Sequence, residues 1–109
     1  MLKVTLFIGL NDKDTKKQEV ETSICKQVIL YGLLNHDFEG ATITLAEGIY
    51  THKENKTIVV ENTFKVELLC FEDESDFMKK VYSFATLVKK ALNQESIAIS
   101  KEYIESKLF

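Results

Sequence analysis

The chain begins with alternating apolar and polar residues, the pattern of a β-strand with one buried face. The alternation extends over Lys3–Leu10 and places Val4, Leu6 and Ile8 on the same face. Gly9 stands near the end of this predicted strand, where it permits close approach of another group to the backbone. Residues 11–18 then form a polar segment, which predicts a loop.

After the loop, apolar residues recur at the spacing of an α-helix that ends near Asn35. Thr22 and Ser23 are both candidate N-caps for this helix. Gly32 lies inside it, where glycine costs about 1 kcal/mol relative to alanine, so we expect a packing reason for this residue. The predicted buried stripe consists of Ile24, Val28, Tyr31 and Leu34, widened by Cys25 and Ile29.

Two long alternating segments follow, Ala41–His52 and Thr57–Phe71, separated by a polar connection at residues 53–56. This arrangement predicts a β-hairpin. Glu47 interrupts the apolar row of the first strand, and together with Gly48 it predicts a β-bulge that turns the carboxylate outward. The predicted inward-facing residues are Ile43, Leu45, Ile49, Ile58, Val60, Phe64, Val66, Leu68 and Cys70.

The strongest helical pattern in the chain follows an acidic start at residues 73–76, where Asp73 or Ser75 is the expected cap. Its apolar stripe consists of Phe77, Val81, Phe84, Val88 and Ala91 or Leu92. A short last strand is predicted at Ser96–Ser100. The polar tail at residues 101–109 ends in Leu108 and Phe109, which we expect to dock on this domain or on a second subunit.

The order strand, helix, strand, strand, helix, strand predicts a single α+β domain spanning residues 1–109. The pattern is that of a ferredoxin-like βαββαβ fold, with a four-stranded antiparallel sheet and two helices on one face. The other face of the sheet remains open. An open, partly apolar face often forms an interface, so we expect a homo-oligomer. The apolar residues predicted on that face are Phe7, Tyr50, Val59, Leu69 and Phe71.

The amino-acid composition limits the classes of partner that we expect. Hydrophobic residues make up 45% of the chain and charged residues 28%, which is typical of a globular protein. The net charge is −3, and all 14 basic residues are lysines, which argues against duplex nucleic acid. The N-terminal apolar run has no signal-peptide architecture, and no run is long enough to span a membrane. We therefore expect a cytoplasmic protein whose two cysteines, Cys25 and Cys70, are reduced core thiols rather than a disulfide.

The polar loop after the first strand is the main candidate for ligand binding. Its start at Asp12 is similar to a calcium-binding loop, but the sixth and twelfth positions, Lys17 and Ser23, are not the required Gly and Glu. It has no Walker sequence either. Lysines ahead of a helix N-terminus do favour a small anion. The alternative is a solvent-exposed connection whose mixed charges only maintain solubility.

Other polar residues give weaker signals. His36 and His52 have no ligand partners at metal-binding spacing, so the sequence predicts no metal site, no cofactor and no catalytic residue. We expect His36 to complement the dipole of its helix and His52 to lie on the hairpin. Asn62 interrupts an apolar row, and its two alternatives are fixing the hairpin register or contacting a ligand.

Several segments resemble a family of small uncharacterised proteins from phages and mobile elements of Firmicutes. These segments are GLNDKDTKKQ, GATI, GIYTH, VENTFKVELL and ALNQESIAI. The resemblance implies a phage protein that acts inside a bacterial cell, and context suggests an inhibitor of host defence. The residues it makes most interesting are Asn11, Asp12, Lys13, Thr15, Lys16, Lys17 and Gln18, with Tyr50 and His52 as neighbours; Asn62 completes the predicted ligand-binding set.

Three functions are consistent with these observations. The first is a non-enzymatic module that sequesters a small anionic ligand of nucleotide type. The second is a protein-interaction module that inhibits a host defence protein through its open sheet face and the Leu108–Phe109 tail. The third is a small enzyme that acts through His52 and Glu47.

Overall fold

The computed structural model describes residues 1–51 and 53–109. Its elements are β1 (Leu2–Gly9), α1 (Thr22–Asn35), β2 (Thr42–Thr51), β3 (Ile58–Leu69), α2 (Glu74–Ala91) and β4 (Ala98–Tyr103). The strands form one antiparallel sheet in the order β2-β3-β1-β4. The predicted ferredoxin-like architecture is therefore confirmed. The last strand begins later than expected and includes part of the predicted tail.

The core lies between one face of the sheet and both helices. Val4, Leu6 and Ile8 of β1 are fully buried, as are Val66 and Leu68 of β3. Alternation along two central strands thus points every second side chain at the helices. No helix in the described part of the chain is long and apolar enough to cross a membrane.

The helix α2 follows its sequence pattern closely. Phe77, Val81, Phe84 and Val88 are all buried against the sheet. Asp73 is the N-cap, as predicted, and its Oδ1 atom accepts a hydrogen bond of 3.1 Å from the backbone N–H of Asp76.

The helix α1 corrects the predicted stripe. Its buried residues are Cys25, Ile29, Gly32 and Leu33, whereas Ile24, Tyr31 and Leu34 are exposed. The prediction was wrong because α1 carries apolar residues on nearly every side, so spacing alone did not identify the face that packs. The helix also begins without the expected cap, since its N-cap is Glu21, whose side chain makes no capping hydrogen bond.

Gly32 and the cysteines behave as expected. A Cβ atom on Gly32 would lie 2.9 Å from Cε1 of Phe84, so glycine allows the two helices to pack closely. Cys25 and Cys70 are both free and buried, and burial raises the pKa of the Cys25 thiol.

The hairpin shows no bulge at Glu47–Gly48. Pairing of β2 with β3 continues in one register from Thr42 to Thr51, with Glu47 opposite Asn62. The bulge prediction was wrong because Glu47 needs no local distortion: this part of β2 is exposed on the helix side of the sheet, where a carboxylate stays solvated.

The end of the chain is not docked on its own domain, the first of its two expected positions. Leu108 and Phe109 are both highly exposed. Leu108 only borders a shallow depression near Leu69 and Phe71 on the open sheet face. Within this chain, the tail therefore leaves its two apolar residues largely in solvent.

Candidate functional site

A pocket of about 300 Å³ lies where three parts of the fold meet. They are the loop between β1 and α1 (residues 10–21, the β1–α1 loop), the β2–β3 hairpin, and the connection between α2 and β4 (residues 92–97, the α2–β4 connection). Its lining residues are Asn11, Asp12, Lys13, Lys16, Tyr50, Glu61, Gln94, Glu95 and Ser96. The pocket is therefore built from segments that are far apart in sequence.

The β1–α1 loop is a tight turn organised around Asp12. Its Oδ1 atom accepts hydrogen bonds from the backbone N–H groups of Asp14, at 2.8 Å, and Thr15, at 3.1 Å. The backbone of Asp12 also bonds that of Lys17 and Lys16. Lys16 adopts a positive φ of 63°, an uncommon conformation for a lysine, which the surrounding bonds hold in place.

The α2–β4 connection anchors this loop. Asn93 Nδ2 donates to Asp12 Oδ2 and to Asp14 Oδ2, each at 2.9 Å. Gln94, which is buried, donates from Nε2 to the backbone carbonyl of Asn11 at 2.7 Å. The Asn93 amide, followed by the two backbone N–H groups within the turn, lowers the pKa of Asp12.

Glu61 occupies the wall of the pocket on the open face of the sheet. It lies opposite Gly48 in the hairpin register. Its Oε2 atom accepts a hydrogen bond of 3.0 Å from the backbone N–H of Asn11. A Cβ atom on Gly9 would lie 2.7 Å from that oxygen, so glycine provides the space for the carboxylate. The Gly9 predicted to permit close approach thus faces a pocket residue.

Tyr50 shares the pocket with two carboxylates. Partial burial, and then the charges of Glu61 and Glu95, raise the pKa of its phenol. The phenol is consequently protonated at neutral pH and carries an O–H group. Together with Asp12, the lining carries three carboxylates against two lysines, Lys13 and Lys16.

The structure brings together half of the residues predicted from sequence. Asn11, Asp12, Lys13, Lys16 and Tyr50 line the pocket. His52 lies outside the described residues. The remaining four, which do not line it, are Thr15, Lys17, Gln18 and Asn62.

The residues outside the pocket have local roles. Gln18 Nε2 donates to the carbonyl of Val20 and to Thr22 Oγ1, and Gln18 Oε1 accepts from Asn62 Nδ2 at 2.8 Å. Thr15 Oγ1 accepts a long bond from the N–H of Lys17. Asn62 is therefore an exposed residue that ties the hairpin to the β1–α1 loop.

The other candidates for chemistry lie elsewhere. Glu47 sits on the opposite face of the sheet from Tyr50 and does not line the pocket. His36 is at the end of α1, where Nδ1 lies 2.7 Å from the carbonyl oxygen of Gly32 and Nε2 lies 3.0 Å from Ser83 Oγ. In residues 1–51 and 53–109, no group of three or more His, Cys, Asp or Glu residues is arranged to hold a metal ion.

Sequence reasoning missed four lining residues: Glu61, Gln94, Glu95 and Ser96. Alternation along its strand puts Glu61 on the face opposite the apolar row, where a carboxylate is usually a solvent-exposed partner of lysine. The available signal was its position two residues from Val59, which pairs with Tyr50. Residues 94–96 run from the end of the stripe of α2 to the start of the predicted last strand, and their contact with the β1–α1 loop depends on the tertiary fold.

A larger concavity, about 660 Å³, lies on the outer surface between α1 and α2. Ile24, Leu30, Tyr31 and Leu87 contribute to its apolar wall. Its lining residues include no carboxylate, lysine or histidine, so it offers few groups to orient a polar ligand. The smaller polar pocket is accordingly the better candidate for chemistry.

Comparison with known proteins identifies solved structures that share this fold. No family model matches the chain, and no curated protein matches it significantly. A phage SAM lyase in complex with S-methyl-5′-thioadenosine is similar in structure, with a TM-score of 0.72, 22% identity, and coverage of 93% of this chain and 79% of the lyase. The apo form of a phage SAM lyase has a TM-score of 0.70, 20% identity, and coverage of 93% and 78%.

A nucleotide-binding protein shares the architecture as well. The GlnK–ATP complex of B. subtilis has a TM-score of 0.56 and 14% identity, and the match covers 93% of this chain and 80% of GlnK. At these identities the comparisons establish the ferredoxin-like α+β fold. A phage protein and two small-ligand complexes are among the structures that share it.

These comparisons contradict one expectation. The sequence contained no recognisable catalytic motif, and we expected a non-enzymatic protein. The structures similar to this chain include a lyase, so this expectation was wrong. A pocket assembled from residues 11–13, 16, 50, 61 and 94–96 leaves no compact motif that the sequence alone would show.

Proposed function

We propose that this protein is an enzyme that cleaves S-adenosylmethionine (SAM) and releases S-methyl-5′-thioadenosine (MTA). The observation that carries the proposal is the polar pocket in a fold similar to that of a phage SAM lyase bound to MTA. Its volume of about 300 Å³ is at the lower end of small-molecule sites.

The charges of the lining favour a cationic centre. SAM carries a sulfonium, and Asp12, Glu61 and Glu95 provide three carboxylates around the pocket. The Tyr50 ring adds a surface that attracts a cation. Lys13 and Lys16 on the loop side complement the carboxylate at the other end of the SAM amino-acid group. The mixed lining therefore matches a zwitterionic substrate better than it matches a simple anion.

The reaction balances without water or a cofactor. Breaking the bond between Cγ and the sulfonium sulfur leaves the electron pair on sulfur and gives neutral MTA. The four-carbon fragment closes in one of two ways: its own carboxylate attacks Cγ and forms a lactone, or a base removes a Cβ proton and forms an alkene. Glu61 is the pocket base for the second route, and in the first it orients the sulfonium.

Incubation with SAM, followed by liquid chromatography and mass spectrometry, tests the proposal. We expect MTA and a four-carbon product; the lactone and the alkene are isomers of equal mass, so retention time against authentic standards identifies which one forms. Glu61→Gln preserves size and an acceptor for the Asn11 N–H group but removes the charge, and we expect kcat/KM to fall at least about 100-fold. Glu47→Gln is the matched control on the other face and should retain activity.

The absence of both MTA formation and SAM binding in the wild-type protein would overturn the proposal. Loss of activity in Glu47→Gln with full activity in Glu61→Gln would move the chemistry to the other face of the hairpin.

ATP is the competing ligand, because a GlnK–ATP complex shares the fold and two lysines line the pocket. Isothermal titration with MTA, SAM and ATP separates the two. We expect MTA and SAM to bind more tightly than ATP, since three carboxylates oppose a triphosphate. Tighter binding of ATP would instead favour the nucleotide-type anionic ligand predicted from the sequence.

We further propose that the protein is a homo-oligomer. Leu45, Ile49, Ile58 and Val60 form an apolar row on the helix side of the hairpin, each between 52% and 69% exposed. A second copy of the chain would bury such a row. Ile49→Glu should lower the native mass measured by light scattering, and an unchanged mass would contradict this proposal.

Removal of SAM would serve the counter-defence role implied by the resemblance to phage proteins, since it depletes a methyl donor inside the host cell. Action in the bacterial cytoplasm and contact with a host defence protein both remain predictions. Phage plating on host strains with and without a SAM-dependent defence, in the presence of the wild-type protein or Glu61→Gln, tests this role.

A further inference from the structure

Asn93 is outside the pocket but connects two of its walls. It follows the last turn of α2 with a positive φ of 48°, and it completes a Schellman motif. In this motif the backbone N–H of Asn93 bonds the carbonyl of Lys90, and the N–H of Gln94 bonds that of Lys89. The backbone at this position satisfies the helix end by itself.

Glycine is the residue best suited to that backbone conformation, because it has no Cβ atom. Asparagine tolerates the conformation and adds a side-chain donor. Here the side-chain amide donates to Asp12 and to Asp14, both at 2.9 Å. Separately, the backbone carbonyl of Asn93 accepts the N–H of Lys13 at 3.0 Å. The side-chain hydrogen bonds of Asn93 are therefore not needed to end the helix.

These side-chain hydrogen bonds act on the β1–α1 loop, which carries residues that line the pocket. Asp12 is the centre of the β1–α1 loop, since its carboxylate accepts the N–H groups of Asp14 and Thr15. Fixing the carboxylate of Asp12 therefore fixes the turn on which Lys13 and Lys16 are presented. Asn93 holds this turn against residues 94–96, which form the facing wall.

We propose that Asn93 is a positioning residue for the pocket: its amide sets the distance between the β1–α1 loop and the α2–β4 connection and so controls ligand affinity. The inference rests on the proposed function only for the identity of the ligand, MTA or SAM. The ordering of the loop is independent of that identity.

The chain contains a matched control. Asp37 ends α1 in the same way, with a positive φ of 55° and the same pair of backbone bonds, from Asp37 to Leu34 and from Phe38 to Leu33. It does not line the pocket. Asn93→Gly and Asp37→Gly make equivalent changes at two helix ends, only one of which contacts the β1–α1 loop.

Two measurements on each variant test the proposal. Hydrogen exchange reports the N–H groups of Asp14 and Thr15, and isothermal titration reports MTA affinity. We expect Asn93→Gly to accelerate exchange at both amides and to weaken MTA binding, each by about tenfold. Asp37→Gly should change neither, and thermal melting should give a single cooperative transition for each variant because both retain the helix end.

The outcomes separate the inference from the proposed function. Unchanged exchange at Asp14 and Thr15 in Asn93→Gly overturns the inference, whatever the ligand result. Faster exchange with unaltered MTA affinity also overturns it, because the loop would then be ordered without affecting the site. If the wild-type protein binds neither MTA nor SAM, the proposed function fails, and exchange alone decides whether Asn93 orders the loop.

Discussion

Replacing Gly9 by alanine tests the pocket without removing any charged group from the chain. The new Cβ atom would lie 2.6 Å from Cδ and 2.7 Å from Oε2 of Glu61, too close for any real contact. The obstructing atoms belong to the end of a flexible side chain, so the carboxylate moves while the strand stays in place. Its hydrogen bond to the backbone N–H of Asn11 is then lost.

Two contributions to stability nearly cancel. A hydrogen bond to a charged group contributes about 1.5–3 kcal/mol, and the lower end applies because this one is only partly buried. Alanine offsets about 0.4–1 kcal/mol of this loss by restricting the unfolded chain. The free energy of unfolding should therefore change by about 1 kcal/mol or less.

Ligand binding should respond more selectively. If Glu61 faces the sulfonium, its displacement removes an attraction of about 1 kcal/mol, the Coulomb energy of a solvated pair at 4 Å. SAM affinity should fall between about fivefold and tenfold. MTA, which has no positive charge, should lose much less. The change in the SAM-to-MTA affinity ratio is the specific signature.

Isothermal titration of both ligands, together with urea denaturation, measures these quantities. Gly40→Ala is the matched control, because no heavy atom lies within 4 Å of a Cβ atom there. An equal loss of SAM and MTA affinity in Gly9→Ala would refute the assignment of Glu61 to the sulfonium. An unchanged affinity for both would remove Glu61 from the ligand site.

Three further predictions concern stability and pH. Asp73→Ala removes the cap bond to Asp76 and should lower the free energy of unfolding, measured by urea denaturation, by about 1 kcal/mol. Glu21→Ala should lower it little, because the Glu21 side chain makes no cap bond. Equal losses in the two variants would contradict the capping argument. Phe84→Ala should cost about 3–5 kcal/mol, since Phe84 is fully buried, and a loss below 1 kcal/mol would indicate that the core does not pack as described. The lowered pKa of Asp12 contributes stability that is present above about pH 4 and disappears as pH falls through the folded-state pKa. Lowering the pH should therefore reduce the difference in free energy of unfolding between the wild type and Asp12→Asn. A difference that grows at low pH would contradict the direction of the pKa shift.

Sequence patterns predicted elements wherever one periodicity dominated. The stripe of α2 and the alternation of β1 each have a single apolar face, so burial followed directly from spacing. In α1, the apolar residues surround the helix, and the face that packs depends on the fit of Gly32 against Phe84. That choice is made by tertiary contact, which periodicity does not contain.

The same distinction applies to the pocket. Asn11, Asp12, Lys13 and Lys16 were predicted because they form one continuous polar segment. Glu61 was missed because its role depends on pairing across the sheet, which places it beside Gly9 and the backbone of Asn11. Residues 94–96 were missed for the same reason.

The contact between Asn93 and Asp12 spans 81 residues of sequence, so the pocket exists only when the chain has folded almost completely. A ligand held there should therefore stabilise the domain as a whole rather than one loop. At a concentration 100 times the dissociation constant, this linkage adds about 2.7 kcal/mol to the free energy of unfolding. If the protein cleaves SAM as proposed, the supply of SAM would then influence the lifetime of the protein in a cell, because proteases act mainly on opened molecules. The protein would persist while SAM lasts and become vulnerable once SAM is consumed.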